Sequence, residues 1–195
     1  MIKLKVIIGG AKDVGKTTLI KRYVSGRFQA DTLSTIGVDF MTKNLEIDGQ
    51  EVHLSLWDFG GEEKFRVLFP SYCSGASGAL VLYDITNRES FNELDEWFDL
   101  IDSNSGKIVK LLIGSKIDLI DQRQIPREEA ENFQKEHADI YLECSSKTGE
   151  NVDKIFETIA RAILESSLKE CLHCGELIPK ELIFCQFCGK KIGKE

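Results

Sequence analysis

Near its N-terminus the chain carries Gly10-Ala11-Lys12-Asp13-Val14-Gly15-Lys16-Thr17, which fits the pattern G-x-x-x-x-G-K-[ST]. The apolar run over residues 4–8 predicts a buried strand, and residues 18–24 can form a helix. In that strand–loop–helix setting, glycines let backbone N–H groups turn inward around a phosphate, and the helix N-terminus adds partial positive charge. The stretch therefore predicts a phosphate-binding loop, and the alternative is a glycine-rich turn in an ordinary α/β domain.

Within this loop, the side chains of Lys16 and Thr17 have separate predicted roles. Lys16 would reach the outer phosphates of a nucleotide, and the Thr17 hydroxyl would hold Mg²⁺. The residues of this stretch predicted to bind the nucleotide cofactor are Gly10, Lys12, Asp13, Val14, Gly15, Lys16, Thr17 and Thr18.

Four further segments follow in order along the chain. They are Ser34-Thr35-Ile36-Gly37-Val38-Asp39-Phe40, Leu56-Trp57-Asp58-Phe59-Gly60-Gly61-Glu62-Glu63-Lys64-Phe65-Arg66, Gly114-Ser115-Lys116-Ile117-Asp118-Leu119 and Glu143-Cys144-Ser145-Ser146-Lys147. With these motifs the chain resembles a Ras-superfamily small GTPase, closest to the Rab branch, over roughly residues 1–168. The resemblance implies a GTP/GDP-binding switch with the α/β fold of P-loop NTPases, a six-stranded and mostly parallel sheet flanked by helices.

The apolar pattern itself alternates strands with helices, as a mostly parallel sheet requires. Asp48-Gly49 lies between residues 38–47 and 52–57 and predicts one antiparallel hairpin. A last helix, capped by Asn151, is predicted to run without interruption from about Val152 through Glu170, because no Gly or Pro breaks that stretch. Core positions are predicted at a helical spacing between the central strands: Phe91, Leu94, Trp97, Phe98 and Ile101.

The resemblance also assigns base recognition. Asp118 would accept hydrogen bonds from guanine N1–H and the exocyclic amine, which selects guanine over adenine. Lys116 would cover one face of the ring with its aliphatic stem, and Phe28 would pack an aromatic edge against the base. Ser115 replaces the family's usual Asn, and its shorter side chain is predicted not to span the gap to the phosphate loop, which would lower nucleotide affinity. The remaining pocket residues are Ser145, Ser146 and Lys147.

For the metal and the γ-phosphate, the resemblance assigns roles to residues of segments 34–40 and 56–66. Thr35 would ligate Mg²⁺ and sense the γ-phosphate, and Asp58 would hold the metal through water. Gly61 would offer its N–H to the γ-phosphate. The implied metal ligands are thus Thr17, Thr35 and Asp58, and the implied catalytic group is Glu62, Lys16, Thr35 and Gly61.

Glu62 stands where the family has the glutamine that orients the attacking water. An amide can accept from water while donating to phosphate, whereas an ionised carboxylate can only accept. Two hypotheses follow. One is a slow intrinsic GTPase in which Lys12 offsets the charge of Glu62 and the γ-phosphate. The other is a near-inactive GTP-bound binding module that does not cycle without a partner.

Composition and charge narrow the class of protein. With 195 residues and a net charge of −7, the chain has no general electrostatic attraction to nucleic acid or anionic lipid. It shows no apolar run of membrane-spanning length, no secretory pattern and no C-terminal cysteine to prenylate. A cytoplasmic protein is predicted, recruited to membranes only through a partner. An effector, an exchange factor and an activating protein are the expected partners.

The tail, residues 169–195, carries two C-x-x-C-G motifs, at Cys171/Cys174 and Cys185/Cys188. Four thiolates suit Zn²⁺. Binding of the metal supplies folding free energy that a segment of about twenty residues cannot obtain by burying its own apolar side chains. Two disulfides are the alternative, but nothing in the sequence indicates an oxidising compartment. The motifs predict a structural zinc ribbon. Five Lys against four Glu make nucleic acid an unlikely partner and a protein the expected one.

Overall fold

The computed structural model describes residues 2–29, 35–61, 69–180 and 182–192. Eight strands, six α-helices and one 3₁₀ helix (residues Ile117–Gln122) lie in these ranges. The strands are β1 Ile2–Gly10, β2 Val38–Ile47, β3 Gln50–Phe59, β4 Gly78–Asp84, β5 Val109–Ser115, β6 Ile140–Glu143, β7 Leu168–Glu170 and β8 Leu177–Pro179. The α-helices are α1 Lys16–Ser25, α2 Phe69–Cys73, α3 Arg88–Asn92, α4 Leu94–Ser105, α5 Arg127–His137 and α6 Val152–Ser166.

The main sheet has six strands in the order β2-β3-β1-β4-β5-β6. Its β2–β3 pair is antiparallel, and the other four neighbouring pairs are parallel. The turn of the β2–β3 hairpin is Asp48-Gly49, with φ of 50° and 79°, as a two-residue hairpin turn requires. The predicted fold class and the predicted hairpin are confirmed.

Apolar side chains cover both faces of this sheet. One cluster packs α1 and α6 against one face, and a second, aromatic-rich cluster packs α3 and α4 against the other. Every residue of β4 is buried, as expected for a central parallel strand. The five predicted core positions between β4 and β5 all lie in the second cluster, which confirms them: Phe91, Leu94, Trp97, Phe98 and Ile101.

Helix α6 is shorter than predicted. It ends at Ser166, and the hydroxyls of Ser166 and Ser167 donate to carbonyls of the last helical turn, Ile163 O at 2.8 Å and Leu164 O at 2.6 Å. Residues 168–170 then pair with residues 177–179 as the β7–β8 hairpin. The predicted helix through Glu170 is therefore wrong, because backbone pairing within the tail outweighs local helix propensity.

Asn151 precedes α6 but does not cap it with its side chain. Its backbone is left-handed, with φ 58°, and its amide donates to Glu143 O at 2.8 Å. The predicted side-chain cap is wrong. Asn151 instead ties the start of α6 to the end of β6.

Within the described ranges, no helix combines the length and the apolar character needed to cross a bilayer.

Candidate functional site

The loop between β1 and α1 takes its shape from left-handed backbone positions. Asp13 and Gly15 have φ of 61° and 94°, and Gly10 has φ 135°. A Cβ at Gly10 would lie 2.3 Å from Leu82 O in the neighbouring strand, so only glycine fits there. Helix α1 begins directly after Gly15 and has no acidic residue in its first turn. Its N-terminus therefore offers backbone N–H groups and an uncompensated dipole to an anion.

A cavity of about 430 Å³ opens over this loop. It brings together segments that are far apart in the sequence: the β1–α1 loop, the segment before β2, the end of β3, and the loops that follow β5 and β6. Its lining residues are Lys12, Asp13, Val14, Gly15, Lys16, Thr17, Thr18, Phe28, Thr35, Phe59, Gly61, Ser115, Lys116, Asp118, Leu119, Ser146 and Lys147.

The Lys16 side chain is held against the loop backbone. The residue is only 5% exposed, and its ammonium donates to Gly10 O at 2.7 Å and to Ala11 O at 2.6 Å. A buried ammonium fixed at the N-terminus of α1 concentrates positive charge where the loop N–H groups converge. This end of the cavity is built for an anion.

Three oxygen-bearing side chains meet beside Lys16. The hydroxyl oxygens of Thr17 and Thr35 lie 2.7 Å apart, and Asp58 Oδ2 lies 2.5 Å from the first and 3.2 Å from the second. Burial raises the pKa of Asp58, while the hydrogen bonds from the two threonines and the charge of Lys16 act in the opposite direction. The second carboxylate oxygen, Asp58 Oδ1, is buried without a hydrogen-bond partner among the described residues.

This oxygen cluster has the donor chemistry that Mg²⁺ prefers. An octahedron with Mg–O distances of 2.0–2.1 Å has edges of about 2.9 Å, close to the observed 2.7 Å between the two hydroxyl oxygens. A cation would also compensate the orphaned Asp58 Oδ1. Thr17, Thr35 and Asp58 therefore fit a magnesium site.

At the opposite end of the cavity, Asp118 presents a carboxylate whose orientation is fixed by neighbours. Ser145, which is fully buried, donates its hydroxyl to Asp118 Oδ1 at 2.6 Å. Lys147 Nζ lies 3.9 Å from Asp118 Oδ2. Phe28 and Lys116 line the same cavity as Asp118. An aromatic residue and a lysine beside a hydrogen-bond acceptor can hold a heterocyclic base that carries donors on one edge, and we call this region of Phe28, Lys116 and Asp118 the base slot.

Ser115 corrects one expectation from the sequence. Its hydroxyl lies 2.7 Å from Val14 O in the β1–α1 loop and 2.9 Å from Tyr83 O in β4. The side chain thus does span the gap to the phosphate loop. A hydroxyl carries a single proton, however, so it can donate fully to only one of the two carbonyls at a time.

Gly61 lies against the β1–α1 loop. A Cβ at this position would be 2.5 Å from Ala11 O and 2.6 Å from Lys12 N, both backbone atoms, so a larger residue would push the segment away. Just before it, Gly60 N donates to Gly37 O at 2.9 Å, which joins the segments that precede β2 and follow β3. The two segments therefore meet each other at the anion end of the cavity.

The residues predicted for the nucleotide and magnesium site fall into three groups. Most line the cavity directly. Gly10, Asp58 and Ser145 lie behind its wall and support Lys16, Thr17 and Asp118 through the contacts above. Glu62 lies outside the described residues. Phe59 and Leu119 line the cavity but were not predicted, although both lie within the quoted motifs.

An aromatic surface next to the site was also missed. Phe40 and Tyr72 are 59% and 37% exposed, and their ring centroids each lie 5.6 Å from that of Trp57. Phe40 and Trp57 are direct neighbours across the β2–β3 pair. The positions of Phe40 in β2 and Trp57 in β3 could have indicated from the sequence that the two side chains are neighbours. Tyr72 belongs to α2, and only the folded structure brings it beside them.

The four tail cysteines form a separate cluster. Their sulfur atoms all lie within 4.8 Å of one another, with Cys171–Cys188 at 3.8 Å and Cys174–Cys185 at 3.6 Å. Both distances are far from the ~2.05 Å of a disulfide but match the ~3.8 Å between sulfurs that share a tetrahedral ion at 2.3 Å. The two C-x-x-C-G motifs also share one backbone hydrogen bond. The glycine N–H donates to the carbonyl of the first cysteine, Gly175 N to Cys171 O at 2.8 Å and Gly189 N to Cys185 O at 2.9 Å. The cluster suits a closed metal site.

Comparison with known proteins agrees with this geometry over most of the chain. Residues 5–165 match the model of the Ras family, so the match ends before the four cysteines. Ras-related protein Rab-18-B of Danio rerio is 38% identical over 165 residues, covering 84% of this chain and 80% of that protein. Ras-related protein Rab-18 of Caenorhabditis elegans is 39% identical over 165 residues, with 84% and 81% covered. Ras-related protein Rab-30 of Homo sapiens is 39% identical over 169 residues, with 86% and 83% covered. The chain therefore belongs to the Ras family and is a Rab-like small GTPase.

Proposed function

We propose that this protein is a guanine-nucleotide switch that hydrolyses GTP slowly and carries a zinc ribbon as a partner-docking element. One observation carries the proposal: a single cavity joins an anion-binding loop, a magnesium-type oxygen cluster and a base slot that ends at Asp118. The alternative, a GTP-bound module that does not cycle, shares this cavity and differs only in hydrolysis.

The phosphates would bind at the β1–α1 loop. Loop N–H groups would face the phosphate oxygens, and Lys16 would add its ammonium from the buried end. Thr17 and Thr35 would offer hydroxyl oxygens to Mg²⁺, and Asp58 would act from the second layer through water. When bound, Mg²⁺ neutralises charge on the β- and γ-phosphates.

Switching would depend on Thr35 and Gly61, the two residues that approach this end from different segments. The contact of Gly61 with the loop backbone and the Gly60 N–Gly37 O bond support a concerted movement of both segments. Without a γ-phosphate, Gly61 would lose its anionic partner, and Thr35 would keep only its contacts with Thr17 and Asp58. The two segments would then be released together.

Hydrolysis is proposed to be slow because of Glu62. An ionised carboxylate beside the γ-phosphate repels it and cannot donate to it. Lys12 lines the phosphate end of the cavity, with its backbone N against Gly61. Its cation would offset part of that repulsion. Lys16, Thr35 and Gly61 complete the proposed catalytic group with Glu62.

We expect GTP-loaded wild-type protein to release phosphate measurably in a single turnover, at or below about 10⁻⁴ per second without a partner. A Glu62→Gln variant should be at least as fast, and a Lys12→Gly variant slower. Glu63→Gln is the matched control for a lost carboxylate. If wild type is silent and Glu62→Gln restores the rate, the non-cycling alternative holds. If phosphate release by Lys12→Gly is as fast as that of wild type or faster, Lys12 does not assist hydrolysis by offsetting the charge of Glu62 and the γ-phosphate.

Partner proteins are proposed to bind two surfaces of this protein. The aromatic surface of Phe40, Trp57 and Tyr72 lies on and beside β2 and β3, which adjoin the segments at Thr35 and Gly61. An effector bound there would therefore sense the nucleotide state. An exchange factor and an activating protein are expected to engage the same segments. The second surface is the ribbon, whose large apolar side chains Leu172 and Phe187 are exposed.

The ribbon is proposed to be a structural four-cysteine zinc site formed by residues 169–195, following a GTPase domain of residues 1–168. Reduced, metal-bound thiolates suit a cytoplasmic protein. Membrane recruitment, in this proposal, occurs only through a partner. The four cysteines provide all four ligands of a tetrahedral ion, so no position remains for catalysis at the metal.

A further inference from the structure

Lys116 forms one wall of the base slot from an unusual backbone position. It follows the last residue of β5 and has φ 65° and ψ 37°, in the left-handed region. It lines the cavity together with Phe28 and Asp118. The four-carbon aliphatic chain of a lysine is flexible and samples many rotamers in water. A wall made from it needs a fixed point for the ammonium.

Asp84 provides that fixed point. The Lys116 ammonium lies 2.7 Å from Asp84 Oδ2, and the two side chains are 36% and 8% exposed. Asp84 is the last residue of β4 and is the register partner of Ser115 at the end of β5. The parallel pairing thus places the carboxylate next to the residue that follows Ser115.

The Asp84 carboxylate is itself oriented by the chain. Its second oxygen, Oδ1, accepts from Thr86 N at 2.8 Å and from Thr86 Oγ1 at 2.7 Å. The backbone N of Asp84 donates to Ser90 Oγ at 3.0 Å. Both carboxylate oxygens are therefore engaged by groups of the protein before any base is bound. Asp84 is not among the residues that line the cavity, and Lys116 is the cavity-lining residue whose side chain it holds.

We propose that Asp84 is a positioning residue for the base slot, holding the Lys116 ammonium so that the stem lies flat as a wall against the ring. The inference rests on the proposed guanine-nucleotide function. A wall that touches the ring face stabilises any purine of the same shape, whereas Asp118 reads the groups on the ring edge. Loss of the Asp84–Lys116 pair should therefore weaken binding without changing which base is preferred.

We expect Asp84→Asn to speed GDP dissociation about 10-fold, a size typical of a lost hydrogen-bonded charge pair at a partly exposed site. Inosine diphosphate, which lacks the exocyclic amine, should be released faster by the same factor. Lys116→Met keeps the apolar stem but removes the ammonium, and it should have an effect of similar size. This second variant leaves Asp84 and its Thr86 contacts in place, so the test remains available if Asp84→Asn is unstable.

The decisive measurement is a double-mutant cycle on full-length protein loaded with fluorescent GDP. In the Lys116→Met background, Asp84→Asn should change the dissociation rate by no more than about twofold, because its route to the ligand is already lost. Asp102→Asn is the matched control, since it breaks another Asp–Lys pair, with Lys110 Nζ at 2.7 Å, away from the cavity lining. It should leave the dissociation rate unchanged.

Two results would overturn the proposal while leaving the nucleotide function intact. One is an unchanged GDP dissociation rate in Asp84→Asn. The other is a full effect of Asp84→Asn in the Lys116→Met background, which would show that Asp84 acts through the fold. A wild-type protein that binds no GDP would overturn the proposed function and this inference together.

Discussion

Asp118→Asn is expected to weaken GDP binding by about 10³-fold or more, the scale of discrimination in sites built to hydrogen-bond a particular group. Two donors of the guanine edge, N1–H and the exocyclic amine, would face the carboxylate. Asparagine keeps one acceptor oxygen but turns an NH₂ group toward a donor, so one pair becomes repulsive. The folded site should survive, because the Ser145 hydroxyl can still donate to the asparagine oxygen.

The same change should favour a different base. Xanthine has a carbonyl oxygen where guanine has the amine, and the new NH₂ of asparagine can donate to it. We therefore expect Asp118→Asn to bind xanthosine diphosphate more tightly than GDP, measured by competition against a fluorescent nucleotide. Asp121→Asn, an exposed carboxylate in the same 3₁₀ helix, is the matched control and should bind GDP like wild type. GDP binding by Asp118→Asn within 10-fold of wild type would remove Asp118 from the base slot.

If the four tail cysteines hold zinc as proposed, loss of the metal is expected to unfold the ribbon completely. The buried core of the ribbon consists of Cys171, Ile178 and Cys185, with Cys188 and Ile192 packed against it. The β7–β8 hairpin adds only three residue pairs. So small a core cannot offset the conformational entropy of the segment, whereas structural zinc contributes roughly 10–16 kcal/mol in small finger domains.

The measurement uses a variant, because chelators would also strip Mg²⁺ from the nucleotide site. Wild type should contain about one equivalent of zinc. Cys185→Ser should lose the zinc, and its residues 168–192 should lose amide-exchange protection while GDP affinity changes less than about twofold. His173→Ala is the control, an exposed residue between two proposed ligands. A metal-free wild type with a protected tail, or with two disulfides by mass spectrometry, would contradict the zinc site. Loss of nucleotide binding in Cys185→Ser would instead show that ribbon and nucleotide site are coupled.

Local sequence signals sufficed for much of the fold. The tight turn between β1 and α1, the Asp48-Gly49 hairpin and the aromatic core positions each depend on residues within a short window. Alternating strand and helix patterns then limit the topology to a mostly parallel sheet. The cysteine spacing was equally local, and the sulfur atoms do converge.

Predictions from the sequence were wrong or missing where the structure depends on contacts between segments that are far apart in the chain. The hydroxyls of Ser166 and Ser167 bond locally at the end of α6, but the pairing of residues 168–170 with 177–179, which takes the chain out of the helix, is not visible in a local window. Ser115 reaches Val14 O across 101 positions of sequence, so only the folded strands determine whether its short side chain spans the gap. Asp84 and Lys116 are likewise 32 residues apart, and the β4–β5 register brings them together.

The most direct test of a guanine-nucleotide switch is equilibrium binding of GDP, GTP and ADP to the purified full-length chain in Mg²⁺. The site geometry predicts that GDP and GTP bind at least about 10³-fold more tightly than ADP, because adenine carries no matching donors for Asp118. Removal of Mg²⁺ should speed the release of GDP, since the ion proposed to lie at Thr17, with Asp58 acting through water, would no longer neutralise the phosphates. ADP competing as well as GDP, or no nucleotide binding at all, would contradict the account.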